Sequence, residues 1–377
     1  MTSLDEAALL ADGFAVPRAS LTPLSREPLG DGSVAGFRVA HDDGRASIAY
    51  VDTSRRPVDR ETGLVLEGVA RIWTHPADPH LPALVPVAFG DALGVLLARL
   101  GIELDGRQEL LAYRPGRRAV LRAPTTRGPV WIKVVPPRRA QRIVDAHAAL
   151  GAAGAPVPAV HGWSPDGVIV TAHAPGEPAL AADADPDAVL GAVDALRERI
   201  ATADLAEPAR ARTPARLRWY APRAAAELPG SADAAERIRA RCEAALAADP
   251  PEPRAIHGDL HLGQVFLDEA PGEPRITGLV DVDTAGLGDP DEDPAALVAH
   301  TAASALLTEG LPGEDRVWRL AEAAHARAAS PRVDALAAIH LLGHALAAGV
   351  AGESRRAARL IRLADAVSAG RRIRRGE

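Results

Sequence analysis

Cysteine and lysine are almost missing from this 377-residue chain, which carries one of each, Cys242 and Lys133. A lone cysteine excludes an internal disulfide and the zinc sites built from cysteine pairs. Its setting, Arg237-Ile-Arg-Ala-Arg-Cys-Glu-Ala-Ala-Leu246, reads as helix, so a packed thiol is expected rather than a nucleophile. The lone lysine excludes a Walker A loop, which needs Gly-Lys-Ser/Thr, because Lys133 is followed by Val134. Positive charge is also in deficit: the net charge of -7 argues against nucleic acid as a partner. The opening Met1-Thr-Ser-Leu-Asp-Glu6 lacks the basic and apolar regions of a signal peptide, so a cytoplasmic location is expected. No long apolar run is uninterrupted. The most apolar segment, 335–351, is broken by His340 and His344, is short for a bilayer and reads as a buried helix, so no membrane partner is expected. The hydrophobic content of 47% is ordinary for a globular protein.

Several catalytic patterns are missing too. No Glu follows His340, so the zinc-protease pattern fails. His257-Gly-Asp-Leu-His261 lacks the companions of a hydrolytic metal centre, and satisfied loop and helix histidines are expected at 257, 261, 340 and 344. Gly162-Trp-Ser-Pro-Asp-Gly167 is no nucleophile elbow, because glycine is missing at the second flank.

What is present centres on two places. The chain writes Arg at 42 of its 43 basic positions, a bias expected of a GC-rich genome, so the exception at Lys133 is informative. Lysine is a compact point charge, whereas arginine is a wide planar fork. Lys133 lies in the β-rich Val130-Trp-Ile-Lys-Val-Val135, ended by Pro136-Pro137. One reading is a charge that guards an edge strand, which Arg would do equally well. The other is a strand lysine at a nucleotide's phosphates.

The second place is residues 255–290. Val265-Phe-Leu267 and 276–280 read as two strands joined by the turn Glu269-Ala-Pro-Gly-Glu-Pro274. A hairpin symmetric about the 272–273 bond sets Gln264 opposite Asp281, where an amide oxygen and a carboxylate can share one hard cation. Asp259, in the loop leading in, is placed to accept a proton from a hydroxyl. Residues 281–292 also overlap the calcium-loop pattern, but Ala285 offers no ligand at its fifth position and the preceding flank is strand-like.

Along the chain, residues 1–105 read as a separate N-terminal module with strands near 36–41, 45–52, 63–69 and 71–74. The Asp43-Gly44 hairpin signal and a helix at 91–100 complete it. From 106 the pattern is strand (109–114), turn (Pro115-Gly-Arg117), strand (118–123), the Lys133 strand and a helix over 138–150. The turn reads equally as a plain hairpin and as a cover for phosphates. A short strand at 168–170 runs into Thr171-Ala-His-Ala-Pro-Gly176, a candidate linker. The rest reads as helices at 187–202, 232–248 after a Ser231 cap, 295–307, 314–329, 334–351 and 355–369. Asp293-Pro294 is read as a cap and first-turn pair.

His257-Gly-Asp-Leu-His-Leu-Gly-Gln264, Leu279-Val-Asp-Val-Asp283 and Gly286-Leu-Gly-Asp-Pro290, with the sole lysine upstream on a strand, resemble the aminoglycoside phosphotransferase family within the protein-kinase-like superfamily. The resemblance covers 106–377. It implies an α+β, two-lobed protein-kinase-like fold with an additional N-terminal module containing β-strands: 1–105 cap-like, 106–173 the small β-sheet lobe, 174–377 the large helical lobe. It implies ATP and Mg²⁺ as cofactors, Asp259 as catalytic base, Gln264 and Asp281 as metal ligands, and Lys133 on the α- and β-phosphates. Thr171 would back the adenine pocket, the Ala172 carbonyl and Ala174 amide would pair with the base, and His257 would orient the catalytic loop. Asp283 belongs to the same motif, and Asp289 and Asp293 are structural. The metal position is usually Asn. Gln264 within His-Leu-Gly-Gln-Val is more similar to the maltokinase and actinobacterial sugar-kinase branch, which also carries an extra N-terminal module. The helix after Lys133 lacks the usual Glu and offers Asp145 or Gln141.

The expected reaction is phosphorylation of a small-molecule hydroxyl on a sugar, amino sugar or aminoglycoside. A nucleotide-binding scaffold without turnover is the rival from another class. Phosphorylation of protein side chains is disfavoured because only five residues separate Asp283 from Asp289.

Overall fold

The computed structural model describes residues 5–210, 213–248, 251–268 and 273–376. It divides into two compact units, one comprising Met1–Val144 with Ala159–His173 and the other Asp145–Pro158 with Ala174–Glu377.

The first unit opens with α1 (Glu6–Phe14), capped by the Asp5 carboxylate, which accepts from the Ala8 amide at 3.1 Å. Five strands follow: β1 (Leu21–Leu29), β2 (Gly32–Ala40), β3 (Ala46–Asp52), β4 (Leu64–Leu66) and β5 (Ala70–Thr74). They form an antiparallel sheet in the order β1-β2-β3-β5-β4, over a core of Leu10, Val39, Val51 and Ile72. The Asp43-Gly44 hairpin joins β2 to β3 as expected, with Gly44 at φ +80°. Strand β1 escapes sequence reading because most of its residues are exposed and two are proline, so no alternation marks it. Then come α2 (Leu84–Ala88) and α3 (Gly90–Ala98).

A second sheet holds β6 (Glu109–Arg114), β7 (Arg118–Ala123), β8 (Val130–Val134), β9 (Val160–Trp163) and β10 (Val168–Ala172) in the order β6-β7-β8-β10-β9. Helix α4 (Pro137–Ala152) lies between β8 and β9 in the chain. Alternation decides its faces: Val130, Ile132 and Val134 are buried with Leu84, Leu93, Leu97 and Leu121, while Trp131 and Lys133 take the other face. Strand β8 is central. Lys133 pairs across to Val120 on β7 and Ile169 on β10, so the edge-guard reading of this lysine is overturned.

The second unit is helical around small strands. Its elements are β11 (Glu177–Pro178), α5 (Pro186–Ala201), α6 (Thr213–Glu227), α7 (Ala232–Leu246), β12 (Arg254–Ile256), β13 (Val265–Leu267) and β14 (Ile276–Leu279). They are followed by β15 (Gly286–Gly288), α8 (Glu292–Leu307), α9 (Glu314–Ala328), α10 (Pro331–Val350) and α11 (Ser354–Ser368). Strands β11, β13 and β14 form one sheet, and β12 pairs with β15.

Helix α10 is the axis of the core, packed by α6, α7, α8 and α11. Ser330 caps it, accepting from the Val333 amide at 3.1 Å, with Pro331 in the first turn, so it begins earlier than its apolar run. Its 20 residues are long and apolar enough to cross a bilayer, more than the interrupted run implied, and here they are mostly buried within the unit, as expected of a core helix. Helix α6 was not expected because Pro222 lies inside it; burial of Leu217, Ala221 and Ala224 outweighs that penalty. Ser231 does not cap α7 with its side chain. Its hydroxyl donates instead to the Ala224 and Leu228 carbonyls and closes the end of α6.

Candidate active site

Strand β12 delivers the chain into the loop 257–263, and this loop is pinned from several sides. The amides of His257 and Gly258 both donate to the Asp293 carboxylate, at 2.8 Å to Oδ2 and 2.7 Å to Oδ1. The Thr284 hydroxyl donates to the His257 carbonyl at 2.8 Å. The His257 ring is buried, with Nε2 donating to the Val280 carbonyl at 3.1 Å. Gly258 sits at φ +82°, and a Cβ there would lie 2.9 Å from the Thr284 carbonyl oxygen, so a side chain is excluded twice over. Asp293 is thus not the cap of α8: that helix starts at Glu292, and both Asp293 oxygens are spent on the loop. Asp289 is structural in the expected sense, pairing with Arg332 at 2.6 Å and accepting from the Asp291 amide at 3.0 Å.

The loop closes through Gln264, which is buried. Its amide donates to the His261 carbonyl at 2.9 Å, and its side-chain Oε1 accepts from the His261 amide at 3.2 Å. In the hairpin beyond, Val265 faces Leu279, and a bulge lies between Phe266 and Leu267. Gln264 therefore faces Val280, whose amide donates to its carbonyl at 3.0 Å. The symmetric register that set Gln264 opposite Asp281 is corrected by one residue, because the bulge breaks the symmetry. Most of the turn, 269–272, lies outside the described residues. Asp281 comes one residue further on, in the left-handed region at φ 62°, ψ 43°, a conformation that Asp tolerates better than most side chains. It ends the strand and starts a 3₁₀ turn, Val282–Thr284, in which Asp283 is buried. The segment then enters β15 and α8, so it is not a calcium loop between helices.

Electrostatics join these residues. Burial, aided by the neighbouring His300 ring, lowers His261 to about 4 against the opposing pull of the Asp259 and Asp281 carboxylates. Burial works to raise the Asp259 carboxyl, but the neighbouring His300, then His340 and His261, outweigh it and hold the group below the usual carboxylate range. His300 Nε2 is 3.6 Å from Asp259 Oδ1. The His300 ring stacks on His261 at 4.4 Å between centroids and meets His344 edge-on at 4.5 Å, with His340 at 5.9 Å. Burial drives His340 and His344 each down to about 3. His340 donates or accepts at Nε2 with the Thr213 hydroxyl, 3.2 Å away. His340 and His261 are hydrogen-bonded as expected, His261 accepting at Nδ1 from the Gly263 amide at 3.2 Å, whereas the buried Nδ1 of His257 has no partner. What sequence spacing missed is that α8 and α10 bring His300, His340 and His344 together beside Asp259 and His261. No sequence interval announces a group assembled from a loop and two helices, and His300 stands in an unremarkable helical run.

The remaining expected residues lie as follows. Lys133 is half-buried on β8, and Thr171 and Ala172 end β10, opposite Trp131 and Val130, with the Ala172 amide donating to the Ala159 carbonyl at 2.9 Å. Trp131 Nε1 donates to His173 Nδ1 at 3.0 Å. Ala174, in the second unit, is buried against Gly278. Asp145 occupies an exposed position on α4. The 115–117 turn is a hairpin held by residues earlier in the same unit. The Gly116 amide donates at 2.7 Å to Asp78, a buried carboxylate that also accepts from the Tyr113 hydroxyl at 2.9 Å and the His80 amide at 2.8 Å. Arg117 bonds to the Pro28 carbonyl, and Arg114 pairs with Glu27 at 2.8 Å.

Gln264 and Asp281 supply an amide oxygen and a carboxylate, hard donors that suit Mg²⁺. The amide oxygen spends one lone pair on the His261 amide and keeps a second, so the donor set fits.

Residues 108–306 match the family model described as APH, phosphotransferase enzyme family. That is more than half of the chain, and the chain belongs to the phosphotransferase enzyme family. Among solved structures, it is similar to a thermostable mutant of aminoglycoside phosphotransferase APH(4)-Ia in its apo form. The identity is 17% and the TM-score 0.53, with 73% of this chain and 97% of that chain covered. It is also similar to a variant of that enzyme in ternary complex with AMP-PNP and hygromycin B, at 17% identity and a TM-score of 0.52, covering 74% and 99%. A comparison with curated proteins finds no match. The fold is thus α+β and protein-kinase-like, rich in sheet toward the N-terminus and helical toward the C-terminus.

Proposed function

We propose that the chain transfers the γ-phosphoryl group of ATP to a hydroxyl of a small molecule, a sugar or amino sugar. The observation that carries this reading is Asp259: a carboxylate held ionised on a loop whose backbone is fixed by Asp293, Thr284 and Gln264. Asp259 accepts the hydroxyl proton as the oxygen bonds to phosphorus and the bond to the leaving ADP oxygen breaks. His257 orients the loop. Lys133 meets the α- and β-phosphates, Thr171 backs the adenine, and the Ala172 carbonyl and Ala174 amide pair with it; Asp145 and Gln141 are the polar candidates on the helix that follows the lysine. Gln264 and Asp281 would hold Mg²⁺, with Asp283 behind them. When bound, the ion neutralises charge on the phosphates. The proposed organisation is a cap-like module over 1–105, a nucleotide lobe over 106–173 and a helical acceptor lobe over 174–377.

One feature favours a sugar: Gln264 in His-Leu-Gly-Gln-Val resembles the maltokinase and actinobacterial sugar-kinase pattern. An aminoglycoside acceptor is the second reading, favoured by the fold likeness to an enzyme captured with hygromycin B. The test is a screen of neutral sugars, amino sugars and aminoglycosides for Mg²⁺-dependent ADP release. The expected result is turnover with a sugar or amino sugar. Turnover confined to aminoglycosides would sink the acceptor assignment, and nucleotide binding without turnover on any acceptor would favour a scaffold.

A further inference from the structure

The mechanism above uses one carboxylate of a larger constellation. The donor atoms of Asp259, His300 and His340 all lie within 4.8 Å of one another. Asp259 Oδ1 and His300 Nε2 are 3.6 Å apart, too far for a direct hydrogen bond, yet near the edge of about 3.3 Å expected between two ligands of a tetrahedral ion bound at about 2.0–2.1 Å. The rings are held for this purpose by their neighbours. His300 is clamped between His261, stacked at 4.4 Å, and His344, edge-on at 4.5 Å. His340 has Nε2 engaged by the Thr213 hydroxyl at 3.2 Å, and behind it Glu292 Oε2 stands at 4.0 Å, buried and without a hydrogen-bond partner. A ring nitrogen tied to a hydroxyl and backed by a carboxylate is the arrangement that orients metal-binding histidines through their second nitrogen. The remaining nitrogen of His340 is the one the inferred site would use.

We infer that Asp259, His300 and His340 form a binding site for a borderline transition-metal cation, Zn²⁺ foremost, distinct from the oxygen site at Gln264 and Asp281. Two imidazoles and one carboxylate suit Zn²⁺ or Co²⁺, whereas Mg²⁺ prefers oxygen ligands and retains water. Three protein ligands leave the fourth position to water. Because Asp259 is one of the ligands, occupancy takes the carboxylate away from the acceptor hydroxyl, so the bound ion inhibits transfer. That consequence, unlike the binding itself, rests on the role proposed for Asp259.

The test uses the full chain freed of metal with a chelator and titrated with Co²⁺ in the absence of nucleotide and acceptor. The expected result is one equivalent bound, with the intense visible absorption of four-coordinate cobalt, displaced by Zn²⁺. His300→Ala removes a ligand from a partly exposed position and should weaken binding at least tenfold. Thr213→Val removes only the orienting hydroxyl and should weaken it by about 10- to 100-fold. Absence of the cobalt spectrum, or equal affinity in His300→Ala, would overturn the site. Under saturating Mg²⁺ and ATP, Zn²⁺ should inhibit the wild type and spare His300→Ala. Binding without inhibition would overturn the inhibitory half. The cobalt spectrum needs no turnover, so its failure is distinguishable from failure of the phosphotransferase reading.

Discussion

Asp293 shows how a carboxylate on a helix can fix the backbone of a loop distant in the sequence. One carboxylate accepts from two consecutive amides, His257 and Gly258, and so fixes the start of the loop that bears Asp259. Asp293→Asn keeps the shape but replaces one accepting oxygen with a donor facing an amide, leaving a buried N–H unpaired at a cost of about 1–3 kcal/mol. The expected outcome is a lower melting temperature and a fall in kcat that exceeds any change in the KM for ATP, measured by steady-state kinetics. At Lys133 the prediction is sharper because the chain uses Arg everywhere else. Lys133→Arg conserves charge yet enlarges the head group in the middle of a sheet. It should lose most of its activity while remaining folded, and an unchanged rate would refute the phosphate role.

At the scale of elements, the sheet and the hairpins follow from local rules, and their exceptions matter most. The β6–β7 turn looked equally like a plain turn and a phosphate cover, and its glycine amide proves to be held by Asp78. Gly116 sits at φ +68°, and a Cβ there would lie 2.6 Å from Leu29 Cδ2. Gly116→Ala should therefore destabilise the protein by about 1–3 kcal/mol, read as a shifted denaturant midpoint at constant m-value. The 265–279 hairpin was legible as two strands, but its register was not, since one bulge moves Asp281 past the position opposite Gln264. The expected caps Ser231 and Asp293 prove to bond elsewhere, but strands with alternating burial, such as β8, and helices with apolar stripes could be read closely. Strand β1, exposed and carrying proline, and helix α6, with Pro222 inside, could not, because tertiary packing rather than local pattern maintains them.

Across the whole molecule, the sequence marked the 257–264 loop and the lone lysine as candidates but not the histidine cluster, whose members sit on a loop and two helices. That cluster has a measurable signature. Burial lowers His261 to about 4 and His340 and His344 to about 3, against 6.5 in an unfolded chain. Between those values the unfolded state binds the protons, so stability is lost as pH falls below 6.5. Glu292 acts oppositely: burial raises it to about 7 from 4.5, so the folded state holds its proton within that window. Near pH 5.5 these four groups together should give a net uptake of about two protons on unfolding, and His344→Gln should reduce it by about one. Melting temperatures across pH 5–7 would show the flatter slope in the variant, and identical slopes would contradict the burial of a neutral His344.

The proposed role of Asp259 as the base of a phosphoryl transfer stands or falls with the Asp259→Asn variant. With the acceptor that turns over best, the variant should lose phosphoryl transfer by at least about a thousandfold while binding ATP with near wild-type affinity. Transfer at the wild-type rate by Asp259→Asn would show that Asp259 is not the base.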